Sequence, residues 1–145
     1  MKNPAKRTDP ATARAVEESL ELAAERKGDL TAPVYALLFQ RQPAMEVLFA
    51  RDTKNTIKGE MLMRVFEAIL DFVGERRYAH HLIGSEAVTH EGYEVPRETF
   101  ATFFGIVREV VHDACGSEWT QAMDNAWDQL LADLAHYVNQ PLVSA

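Results

Sequence analysis

The chain has one cysteine in 145 residues, Cys115. That excludes an internal disulfide and a cysteine-based zinc cluster, and Cys115 reads as a small buried hydrophobe. Positive charge is also short: 15 lysines and arginines face 22 acidic residues, giving a net charge of −7 and a pI near 5.2. Nucleic acids and anionic membrane surfaces need a basic face, so neither is an expected partner. No stretch is apolar for long enough to span a bilayer. The opening MKNPAKRTDP is basic but lacks the apolar run of a signal peptide. The expected location is the cytoplasm. Also missing are a glycine-rich phosphate loop, an HExxH metal motif and a serine in a nucleophile elbow.

What is present is the composition of a folded protein, 47% hydrophobic and 26% charged. The length suits one domain over 1–145 with a core of ordinary size, residues 1–9 forming a flexible N-terminal segment. Helical period dominates, and no segment alternates apolar and polar residues for long. Asp9-Pro10 starts a helix that Lys27-Gly28 stops, with Val16, Leu20 and Ala23 on one face. Thr31 and Pro33 open a second, carrying Tyr35, Leu38 and Phe39 until Pro43 interrupts it. A short turn, PAMEVLF, and a polar loop, ARDTKNT, follow. The next run, IKGEMLMRVFEAILDFVGERR, is amphipathic, with Leu62, Phe66, Ile69 and Phe72 at helical spacing. A looser helix, YAHHLIGSEAVTH, ends at His90, with Gly92 just past its end. Pro96 starts another that points Phe100, Phe103, Phe104, Val107 and Val111 inward. Gly116-Ser117 separates it from the last helix, whose inner face holds Met123, Trp127, Leu130, Leu131 and Leu134. The reading is all-α, about seven helices with short connections.

Five histidines are the main candidates for chemistry: His80, His81, His90, His112 and His136. Adjacent His80 and His81 point roughly 100° apart on a helix, a poor chelate. His90 stands near a helix end, where an imidazole can donate one N–H to a backbone carbonyl and keep its other nitrogen for a metal. A helix C-terminus also favours a positive side chain, so the local pattern leaves both roles open.

Three stretches taken together go further. VYALLFQRQPAMEVLF (34–49), HEGYEVPRETF (90–100) and SEWTQAMDNAWDQLLADLA (117–135) resemble the globin family. Within it they are most similar to bacterial single-domain haemoglobins and the haem domain of flavohaemoglobins. The resemblance runs from Arg14 to about Tyr137. Its most specific parts are Tyr35, Phe39, Pro43 and Phe49 at their spacing, the pairing of His90 with Tyr93 and a downstream proline, and the NAW of 125–127.

The resemblance implies a globin fold of about seven to eight helices around haem b, iron protoporphyrin IX. His90 matches the proximal iron ligand, Phe49 the phenylalanine on the porphyrin face, and Tyr35 the distal tyrosine whose O–H faces the gas. Lys58 falls where glutamine or histidine is usual, and Leu62 one turn later on the distal side. The 28-residue interval from Leu62 to His90 matches the flavohaemoglobin pattern. Phe100 and Phe104 complete the expected haem contacts. The implied function is reversible binding of dioxygen, carbon monoxide or nitric oxide. The enzymatic alternative is a nitric oxide dioxygenase served by a separate reductase. A gas-sensing or haem-free globin-like regulator is a third reading. Retention of Tyr35, Phe49 and His90 favours haem, and a flavin and nicotinamide domain would need roughly 100–200 further residues.

Two departures accompany the likeness. Where flavohaemoglobins bond a tyrosine and a glutamate to the proximal histidine, this chain has Phe100 and the acid-free NQPLVSA. His90 is therefore expected to lack a carboxylate partner, which disfavours peroxidase-like chemistry. Lys58 is expected to cover haem with its stem and send its ammonium to solvent or a propionate. Deprotonated, it would be able to take the sixth iron site.

Overall fold

The computed structural model describes residues 7–92, 95 and 97–139. Seven α-helices occur among them: α1 Pro10–Lys27, α2 Thr31–Arg41, α3 Pro43–Glu46, α4 Thr56–Val73, α5 Ala79–Gly92, α6 Arg97–Cys115 and α7 Gln121–Asn139. Short 3-10 turns at Val47–Phe49 and Gly116–Glu118 follow α3 and α6. No strand occurs among the described residues, and none of their helices is long and apolar enough to cross a membrane.

The helix limits have local causes. Pro10 sits in the first turn of α1, where a missing N–H costs nothing. Gly28 ends that helix at φ 67°, a left-handed value that glycine adopts freely. The Asp29 carboxylate accepts both the N–H (2.9 Å) and the O–H (2.6 Å) of Thr31 as α2 begins. Asp71, in the last turn of α4, reaches over the connection and accepts the N–H groups of Arg77, Tyr78 and Ala79 at 3.1, 3.0 and 2.9 Å. Thr120 Oγ1 accepts the Met123 N–H at 3.1 Å and caps α7.

α1 packs across α6 and α7, α2 lies on α6, and α5 touches α4, α6 and α7. Val16, Val34, Ile69, Phe72, Val107, Val111 and Trp127 are buried where these helices meet. The core also contains a polar link absent from the sequence reading. Ser19 is fully buried, accepts the Trp127 indole N–H at 2.9 Å and donates to the Val16 carbonyl at 2.6 Å. The Cys115 thiol, also buried, donates to the Ser19 carbonyl at 3.3 Å.

Several expectations change in detail. Gly92 is the last residue of α5 instead of lying past its end. Leu20, Phe66, Phe100, Phe103 and Leu131 face the core only partly buried. Thr8, just before α1, accepts a bond on its Oγ1 from Arg76 Nη2 at 3.1 Å. The expectations for residues 1–6, Tyr93, Pro96 and 140–145 lie outside the described residues.

Candidate functional site

Tyr35 projects from the middle of α2 into a nest of aromatic rings. Phe39 lies one turn on, Phe49 comes from the turn after α3, and Phe103 comes from α6, with ring centroids 5.9, 5.4 and 5.6 Å from that of Tyr35. Tyr35 is 2% exposed, and its hydroxyl finds no hydrogen-bond partner among the described residues. Burial pushes the phenol pKa well above its ordinary value, and the nearby Asp52 charge adds to the rise. The group therefore keeps its proton and stays a donor. An unpartnered buried hydroxyl costs a fold about 1–3 kcal/mol, so such a group invites a ligand that accepts its bond.

The polar loop before α4 is built around Asp52. Asn55, which precedes α4, takes a left-handed conformation at φ 61° and makes no side-chain cap. Asp52 does that work from three residues upstream: Oδ1 accepts the Ile57 N–H at 3.1 Å and Oδ2 the Lys58 N–H at 2.9 Å. Its side chain is 4% exposed. Burial opposes the charge, but the two N–H bonds and the Lys58 ammonium outweigh it and hold the carboxyl below its ordinary range. Sequence reading missed Asp52 entirely.

Lys58 departs from one half of its expectation, the ammonium in solvent. Its side chain is only 11% exposed and pairs with Asp52, the ammonium donating to the Asp52 carbonyl at 3.1 Å with the carboxylate 3.5 Å away. It does not extend to solvent, because a buried carboxylate closer at hand holds it. The ammonium also lies over the Phe49 ring, 5.6 Å from the centroid, a cation–π arrangement. Leu62, one turn along the same face of α4, is 2% exposed.

His90, in the last turn of α5, is oriented by its own helix. Nδ1 donates to the Glu86 carbonyl at 2.8 Å, which leaves Nε2 with its lone pair available. The ring stands 5.0 Å from Phe100, which in turn meets Phe104 at 5.8 Å. The Glu86 carboxylate lies 3.6 Å from Nδ1, beyond hydrogen-bond reach but nearer than the sequence reading allowed for any acid. An i−4 glutamate is the signal that reading passed over.

α6 ties the two groups together. Phe103 faces Tyr35, while Phe100 meets His90 and is backed by Phe104. The His80 and His81 rings lie tilted against one another with centroids 4.0 Å apart, and His80 meets Tyr137 at the other end of α5 from His90. His112 meets Trp119 and His136 meets Tyr137. No cluster of three or more histidine, cysteine or acidic side chains suited to a metal ion occurs among the described residues. An open depression of about 320 Å³ between α1 and α7, lined by Ala11, Thr12, Ala122 and Gln129 among others, brings no titratable group together.

Helices alone, with α6 carrying Phe103 to the buried Tyr35 phenol and Phe100 to the helix-oriented His90 imidazole, place the chain in the all-α class. A family model described as Globin matches residues 32–138, well over half of the chain. The chain belongs to the globin family. Globins typically bind haem, and through it diatomic gases. No curated protein and no solved structure matches the chain.

Proposed function

We propose that this globin holds haem b on His90 and binds dioxygen or another diatomic gas reversibly, in the manner of bacterial single-domain haemoglobins, in the cytoplasm. The observation that carries the reading is Tyr35 beside Phe49, 2% exposed, its hydroxyl protonated and without a partner among the described residues. Haem, when bound, would supply an iron able to bind a diatomic gas reversibly. His90 Nε2 is the protein's donor to it, with Nδ1 anchored on the Glu86 carbonyl so that the ring does not turn. Phe49, Leu62, Phe100 and Phe104 furnish apolar contacts and keep water away. Tyr35 donates its O–H to a polarised ligand and accepts nothing from the surrounding rings.

Carriage or storage fits these residues better than oxidative chemistry, because the hydrogen-bonded partner of His90 is a neutral carbonyl. A weakly polarised imidazole donates less electron density than one bonded to a carboxylate. The test is the absorption spectrum of purified, haem-loaded protein in its reduced, oxygen-exposed and carbon-monoxide-exposed forms. Reversible conversion between reduced and oxygen-exposed spectra is expected. Failure to retain haem would overturn the reading, and rapid irreversible oxidation on exposure to oxygen would remove the carrier function.

A further inference from the structure

Asp52 is buried, while its neighbours Arg51 and Thr53 are exposed. Three bonds fix it: the Ile57 and Lys58 N–H groups come to its carboxylate, and its own N–H donates to the Phe49 carbonyl at 2.9 Å. The carboxylate is thus locked to both the Phe49 turn and the start of α4. It cannot follow a moving lysine; the lysine must come to it. The Lys58 ammonium does so, meeting the Asp52 carbonyl and carboxylate at 3.1 and 3.5 Å. None of its three N–H donors reaches the Tyr35 hydroxyl, which has no partner among the described residues.

We propose that Asp52 is the positioning residue of the distal side: it clasps Lys58 across Phe49 and keeps the amine away from Tyr35 and the gas. The inference rests on the haem reading above. Lys58 and Leu62 are one turn apart on the same face of α4, so a released lysine stem swings along the face that carries Leu62. There it would compete with the gas as a nitrogen donor or occupy the Tyr35 hydroxyl. With the clasp closed, the ammonium is spent on Asp52 and the Tyr35 proton remains available.

The test uses purified full-length protein and two readouts. In the first, a soluble amine-reactive reagent labels the lysines and mass spectrometry follows each site. Lys58 is expected to react about five- to tenfold more slowly than exposed Lys54, the range of one modest hydrogen-bonded ion pair. Asp52→Asn, which keeps the shape but not the charge, is expected to remove most of that difference. In the second, the ferric spectrum is recorded in alkaline solution. Asp52→Asn should acquire a low-spin, amine-ligated form that the parent lacks and that Asp52→Asn/Lys58→Met abolishes. Equal labelling of Lys58 and Lys54 in the parent protein overturns the clasp, and that comparison decides the point even where the Asp52 variant does not fold. An unchanged Lys58 labelling rate in Asp52→Asn overturns it too, as does a low-spin form that survives the Lys58 substitution. Protein that retains no haem sinks the haem reading alone, since the labelling contrast still reports on the clasp.

Discussion

Removing the hydroxyl of Tyr35 should change stability and gas release in opposite senses. Tyr35→Phe keeps the ring, which Phe39, Phe49 and Phe103 surround at 5.4–5.9 Å, and deletes one buried oxygen that has no hydrogen-bond partner among the described residues. Without gas, loss of an unsatisfied buried polar group should leave the protein as stable or up to about 1–2 kcal/mol more stable. With oxygen bound, the same deletion removes one donor to a polarised ligand, worth about 1.5–3 kcal/mol and thus roughly a tenfold to hundredfold faster release. Carbon monoxide polarises less and should leave much less affected. The assays are urea unfolding in the absence of gas and stopped-flow displacement for each gas. A loss of more than about 1 kcal/mol in stability would mean that the hydroxyl has a partner in the fold. Equal acceleration for both gases would mean that Tyr35 acts by shape.

Ser19→Ala strands the Trp127 indole N–H in the core, and a loss of about 1–2 kcal/mol, or roughly 3–8 °C in Tm, should follow by calorimetry. A Tm unchanged within error would show that the bond is energetically idle. Asp71→Ala removes the acceptor for three N–H groups before and within α5, with an expected cost of about 1–2 kcal/mol at neutral pH. Burial works against the Asp71 charge, but those three donors outweigh it and hold the carboxyl below its ordinary range. Its contribution is therefore complete at neutral pH and is lost as pH falls below about 4, so the gap between parent and variant should close in acid. A gap that is constant in urea titrations at neutral and acid pH would refute that linkage.

The helices were legible because their signals are local. Leu62, Ile69 and Phe72 recur at helical spacing, and all three are buried on α4. Pro10, Gly28 and Pro43 mark helix limits through backbone geometry that each residue imposes by itself. Family resemblance rested on order and spacing across the chain, and the match over 32–138 supports it. Asp52 was illegible for a physical reason. A cap is sought at the residue before the helix, but left-handed Asn55 makes no side-chain cap and an acid three residues earlier serves. The orientation of Lys58 depends on that hidden partner, so a lysine reaching solvent was the natural expectation and a lysine turned inward was not legible. Ser19 gave no sign either, because Trp127 lies 108 residues away and only the packing of α1 on α7 brings them together.

The central claim is that His90 carries the haem iron, and titration of haem into parent and variant proteins tests it most directly. Parent, His80→Ala and His81→Ala are expected to bind haem alike and to give the same ferrous and carbon-monoxide-exposed spectra. His90→Ala should bind at least about a hundredfold more weakly, as loss of a metal ligand entails, and should lack the histidine-ligated ferrous spectrum. Undiminished affinity and an unchanged spectrum in His90→Ala would contradict the account.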